Sequence, residues 1–150
     1  VQHARMCGAL TIGIANNPGA PVVAYAEIGI TLATGAEVIS GSTRLKAATA
    51  QKIVLNTFSS ALMVRLHKVF GNLMVDLRAT NSKLIARAER LTMLATGCTL
   101  EVARSTLADC GWHIKTAIVV IERKVDVATA ERLLETHAGD TWAALAAPPP

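Results

Sequence analysis

Glu37 to Lys52, EVISGSTRLKAATAQK, is the densest polar stretch in an otherwise apolar region. It follows a predicted parallel strand and opens a predicted helix. Ligands of open α/β sheets bind beyond the carboxyl ends of the strands. Helix starts offer unpaired N–H groups and a partial positive charge, which suit a phosphate or carboxylate. Ser42 and Thr43 add hydroxyl donors, and Arg44 adds a planar fork for an anion. Gln51 and Lys52 fall on the face of Arg44, two turns further along the helix. Glu37, in the loop just before, could accept a sugar hydroxyl or move a proton. The candidate substrate-binding set is therefore Glu37, Ser42, Thr43 and Arg44. A plainer use of the same residues stays open: Ser42 and Thr43 would only cap the helix (Gly41 could also stand at its start), and Arg44 would pair with Glu37.

No other cluster competes with this one. The glycine and lysine spacing does not make a P-loop. Asn16-Asn17 ends a strand at the same sheet edge, although Asn-Asn-Pro-Gly reads first as a turn. His67 and His113 have no evident acid or nucleophile partner, so no Ser-His-Asp or Cys-His arrangement emerges. The three cysteines are irregularly spaced. Cys98, Cys110 and His113 fall short of the four ligands of structural zinc, and His3 with Cys7 is only a pair. Neither a metal nor another cofactor is expected. An odd, unpatterned cysteine set suits a reducing, cytoplasmic setting rather than a disulfide framework.

The elements that must position these groups can be read from periodicity. Val1–Cys7 reads as the end of a helix closed by Gly8. Leu10–Ala15, LTIGIA, and Ile28–Leu32, IGITL, are short apolar strands, with a helical turn over Pro21–Ala26 between them. Thr34–Gly41 is a loop. A long helix runs from Thr43 to Leu66 until Gly71 breaks the pattern. From Ile53 to Val64 it is apolar almost all round, the mark of a helix buried on most sides. Leu73–Leu77 and Ser82–Thr96 read as two more helical pieces, the second capped by Thr80 or Asn81 and ended by Gly97. Leu100–Ala108, Trp112–Arg123 and Val127–His137 follow as amphipathic helices, with Asp126 capping the third. Its inner face is Ala130, Leu133 and Leu134. Gly139 closes it, and Thr141–Ala147 makes a last turn before a Pro148–Pro150 stop. The expected class is α/β and mostly helical.

Composition narrows the partners. Of the 150 residues 51% are hydrophobic, enough for a packed core. The net charge is +4, but the basic residues are scattered and aromatics are few, so a nucleic-acid role stands well below a small anionic ligand. Met6–Ala26 carries no charge, yet its prolines, asparagines and glycines make it a strand and turn, not a membrane span. No signal peptide is evident. Two strands alone and a helix apolar all round predict a homodimer or larger assembly, or dependence on an N-terminal partner fragment.

GALTIGIANNPGAPV, TGAEVISGSTRLKAATAQKIVLN and KVFGNLMVDLRATNSKL closely resemble successive segments of the N-acetylmuramic acid 6-phosphate etherases. The glucokinase regulatory protein is similar at greater distance. The resemblance implies the C-terminal portion of such a protein. Residues 1–70 would be the second half of a sugar-isomerase (SIS) domain, 71–97 connecting helices, and 98–150 a small ubiquitin-associated-like three-helix module. It implies a carbon–oxygen lyase that releases D-lactate from N-acetylmuramic acid 6-phosphate and leaves N-acetylglucosamine 6-phosphate, in recycling of cell-wall amino sugars. The family chemistry is elimination followed by water addition, with a glutamate as acid and base. No segment here matches the family's catalytic glutamates or its phosphate loops, so the chain alone is expected to be inactive. By resemblance Glu37 aligns with a glutamate that takes part in proton transfer in the related glucosamine-6-phosphate synthase isomerase domain. The other reading is a non-catalytic sugar-phosphate-binding regulator resembling the glucokinase regulatory protein.

Overall fold

The structure is a computed structural model that describes residues 1–77 and 79–148. The terminal prolines Pro149 and Pro150 of the expected stop lie outside the described residues. The chain divides into two compact units, Val1–Ser60 and Ala61–Pro150. It is mostly helical with a small parallel sheet, as the periodicity predicts.

In the first unit α1 (Gln2–Met6) leads into β1 (Ile12–Ala15), α2 (Pro21–Tyr25) and β2 (Ile28–Thr31). The two strands pair in parallel, from Ile12 opposite Ile28 to Ala15 opposite Thr31. Pro21 opens α2, where its missing N–H costs nothing and its fixed φ suits the first turn. This helix lies directly on the strands. A Cβ built on Gly13 would stand 2.2 Å from the Val22 carbonyl oxygen, and one on Gly29 would stand 2.6 Å from Val23. The repeated Ile-Gly-Ile of the two strands is therefore the seat of α2: the glycines let the backbones touch, and the isoleucines supply the β-branched flanks.

The long helix α3 (Lys46–Arg65) begins three residues later than the pattern predicts. Ser42 and Thr43 do not cap it; Glu37 does. The residues between form a turn that feeds the helix through bonds from Ala48 N–H to the Thr43 carbonyl at 3.0 Å and from Thr49 N–H to the Leu45 carbonyl at 3.1 Å. The helix ends at Arg65, one residue short of the expected Leu66, but Gly71 is not what stops it. His67 takes a left-handed φ of 55°. Lys68 N–H returns to the Met63 carbonyl at 2.9 Å, and His67 N–H to Val64 at 3.0 Å, which closes the helix before Gly71 is reached. The all-round apolar pattern predicts burial, but within this chain α3 buries only Ala47.

In the second unit the expected helical piece at Leu73–Leu77 is instead half of a hairpin. Strands β3 (Val69–Phe70) and β4 (Leu73–Met74) pair antiparallel around Gly71-Asn72. A two-residue loop with a left-handed first residue selects that turn, and Gly71 has φ 58°. Four helices follow α4 (Ser82–Thr96): α5 (Leu100–Asp109), α6 (Ile114–Arg123), α7 (Val127–Thr136) and α8 (Thr141–Ala146). Trp112, expected to start α6, is left-handed at φ 65° and precedes it. Two starts are capped as the sequence predicts, Asn81 accepting from Leu84 N–H at 3.0 Å and Asp126 from Thr129 N–H at 2.7 Å. Asp140 caps α8 as well, accepting from Trp142 N–H at 2.9 Å, whereas His113 before α6 makes no side-chain cap bond. The apolar positions of α5 and α6 meet in a core of Leu107, Cys110, Ile114, Ala117 and Ile118. That core also takes in Ala88 of α4 and Phe70 and Val75 of the hairpin region. Phe70 stacks on Trp142 with ring centres 4.2 Å apart. Glu89, buried on α4, is held by Arg104, with Nε at 2.7 Å from one carboxylate oxygen and Nη2 at 3.4 Å from the other.

Candidate functional site

The carboxyl end of β1, the loop that follows β2 and the start of α3 line an open cavity of about 570 Å³ within the first unit. Glu37, Thr43 and Arg44 line it together with Asn16, Asn17, Thr34 and Gln51. Three of the four residues singled out in the sequence are thus brought to one place. Ser42 is not: it lies outside the lining, and its N–H turns back to the Ile39 carbonyl at 3.0 Å.

Glu37 has a double position. Its Oε2 accepts from Lys46 N–H and its Oε1 from Ala47 N–H, both at 2.9 Å, so it caps α3 from nine residues upstream. These bonds, with Ala47 the stronger, hold its carboxyl below the ordinary glutamate value. The group is an anion at neutral pH with a lone pair still free on each oxygen. It can accept from a hydroxyl but is poorly disposed to donate a proton. Arg44 does not pair with Glu37, and among the described residues it makes no ion pair. It is also the cationic side chain in the lining. The site therefore offers an unpaired guanidinium, a hydroxyl at Thr43, three side-chain amides and one committed carboxylate. Chemically, that set can hold a small anion and accept or donate hydrogen bonds to polar groups beside it.

Sequence reasoning missed how much Asn16 does. Its Nδ2 lies 3.3 Å from the Leu32 carbonyl, 3.5 Å from Thr34 Oγ1 and 3.4 Å from the Ala47 carbonyl. Its Oδ1 receives Gln51 Nε2 at 2.6 Å. The available signals were its place at a strand end and the shared face of Gln51 and Arg44, and the turn-forming company of Pro18 and Gly19 masked the first.

The remaining reactive side chains sort differently. His67, which has no visible partner in sequence, has one in space: its Nδ1 is 3.2 Å from Asp140. Lys68 and Lys115 both approach Asp76, and Lys68 in particular holds that carboxyl below its ordinary value. Burial pushes the Cys110 thiol up to about 11, whereas Cys7 is exposed. Among the described residues no three His, Cys, Asp or Glu side chains gather to hold a metal ion, and no helix is long and apolar enough to cross a membrane.

No family model matches the chain. Curated proteins do. One from Deinococcus radiodurans, named N-acetylmuramic acid 6-phosphate etherase, is 56% identical over 138 residues, covering 92% of this chain and 45% of that protein. One of the same name from Escherichia coli K12 is 48% identical over 139 residues, covering 93% of this chain and 47% of the relative. N-acetylmuramic acid 6-phosphate etherase 1 of Vibrio cholerae is 48% identical over 145 residues, covering 97% and 48%. The chain spans about half the length of the curated relatives it matches. The resemblance read from the motifs is borne out: over nearly all of its own length the chain is a homologue of proteins that carry the etherase name.

Proposed function

We propose that this homologue of the etherases supplies the C-terminal portion of a lyase that cleaves the D-lactyl ether of N-acetylmuramic acid 6-phosphate, a cytoplasmic enzyme of amino-sugar recycling. In this reading residues 1–70 are the second half of an SIS domain, 71–97 connect, and 98–150 form a ubiquitin-associated-like module. The observation that carries the reading is the meeting of Arg44, Thr43 and Glu37 at one cavity beyond the strand ends, with the guanidinium in no ion pair among the described residues. Its volume of about 570 Å³ falls in the range of roughly 300–1,000 Å³ usual for small-ligand sites. Arg44 and Thr43 take the anionic end of the sugar phosphate. Glu37, kept ionised by the α3 amides, accepts a sugar hydroxyl. Ser42 serves through the turn that presents its neighbours. Neither metal nor cofactor is needed: abstraction of a proton beside a carbonyl is work for a carboxylate of tuned pKa, and that carboxylate lies outside this chain.

Lactate release tests the reading. The chain alone, incubated with N-acetylmuramic acid 6-phosphate, should release no D-lactate above the uncatalysed rate. Extended to the relatives' full length with the remaining part of the Deinococcus protein, it should release lactate. Tight sugar-phosphate binding by the extended protein without lactate would favour the regulator reading instead.

A further inference from the structure

We infer that Asn16 is the positioning residue of this cavity, the side chain that fixes the wall carrying Glu37 and Arg44 against the strand ends. The inference rests on the sugar-phosphate reading for its consequence but not for its geometry. Asn16 stands one residue beyond β1. Its amide nitrogen faces three oxygens from two other segments: the Leu32 carbonyl and Thr34 hydroxyl at the exit of β2, and the Ala47 carbonyl in the first turn of α3. Its amide oxygen takes the short bond from Gln51. The network fixes this orientation, since exchanging the two ends would set an oxygen against the two carbonyl oxygens.

Ala47 shows what this arrangement does. Its N–H is bound by Glu37 and its carbonyl by Asn16, so the loop cap and the strand end hold the two peptide units that flank one residue. Gln51, one turn on, closes the circuit. The sheet itself does not depend on this device. Its four backbone pairs and the seat of α2 on Gly13 and Gly29 hold it without Asn16. Removing the amide donors should therefore loosen the cavity wall and leave the sheet in place.

Asn16→Asp tests this in the full chain, because it keeps the size and the acceptor for Gln51 and removes the donors. Amide hydrogen exchange at Lys46 and Ala47 should accelerate about tenfold or more, the scale of a lost hydrogen bond. The amides of β1, β2 and the second unit should not change. Gln51→Met should give the same pattern more weakly. Affinity for N-acetylglucosamine 6-phosphate should fall about tenfold in Asn16→Asp with Arg44 intact. Unchanged exchange at Lys46 and Ala47, or equal loosening of the strands, would overturn the inference. If the unaltered chain binds no sugar phosphate, the functional reading has failed, and the exchange pattern still decides the role of Asn16.

Discussion

Glu37 spends its charge on the start of α3 before any ligand arrives. Because its folded pKa lies below the ordinary 4.5, the cap is present above that value and is lost as pH falls through the depressed folded one. The exchange protection of Lys46 and Ala47 should thus be flat from pH 7 to 5 and collapse in the acid range below 4.5. A protection that did not respond to acid would mean the carboxylate is not the cap. Arg44 has the opposite standing, since no group among the described residues competes for it. In a protein of the relatives' full length, Arg44→Ala should weaken substrate binding by about 1.5–3 kcal/mol, the range for a charged hydrogen bond. Glu37→Gln should chiefly lower turnover, and unchanged kinetics for both would return the cluster to a purely structural role. The identity of these two residues was legible because they stand between a strand and a helix. The capping use of Glu37 was not, because its partners lie nine and ten residues downstream and capping rules look only to the adjacent turn.

Elements were legible where their signals are local. Asn81, Asp126 and Gly97 mark α4 and α7 with side chains or a φ that act within one turn, and α4 lies where periodicity and caps place it. The hairpin at Val69–Met74 was not legible, because six residues carry no period and the Gly-Asn turn is indistinguishable from a helix break until its strands pair. Two substitutions probe the element scale. Asn81→Ala removes the acceptor for Leu84 N–H and should cost the second unit about 1 kcal/mol, read as a lower urea midpoint at constant slope. Arg123 reaches across from α6 and donates to the Ala144, Ala147 and Pro148 carbonyls at 3.0, 2.6 and 3.2 Å. Ala144 is in the last turn of α8, whose carbonyls a helix leaves unpaired, and Ala147 and Pro148 follow its end. Arg123→Met keeps the stem and loses the donors, so α8 should lose exchange protection while α4 keeps it. Equal loss in both helices would show that Arg123 supports the whole unit instead.

At the scale of the whole molecule, the sequence pattern and the packing disagree about α3, and the disagreement is informative. A helix apolar nearly all round belongs in a core. In the first unit, however, Ile53, Leu55 and Phe58 are 60%, 54% and 52% exposed. Ile28 on β2 and Val38 in the following loop are exposed as well. The sheet has only two strands, fewer than a stable isolated sheet requires, and so presents unpaired edges. So many large apolar side chains on one unit are rarely left to water. The second unit differs, because its hairpin and helices close on a core that includes Leu107, Ile114 and Ile118, each no more than 1% exposed. Two consequences follow for the purified chain. It should sediment at micromolar concentration as a dimer or larger, and Phe58→Glu, which places a charge on the exposed face of α3, should shift it towards monomer. On heating, the second unit should retain its cooperative transition in that variant, while exchange protection in β1 and β2 falls. A monomer in which both units melt cooperatively, unaffected by Phe58→Glu, would show that α3 is stable in water as it stands.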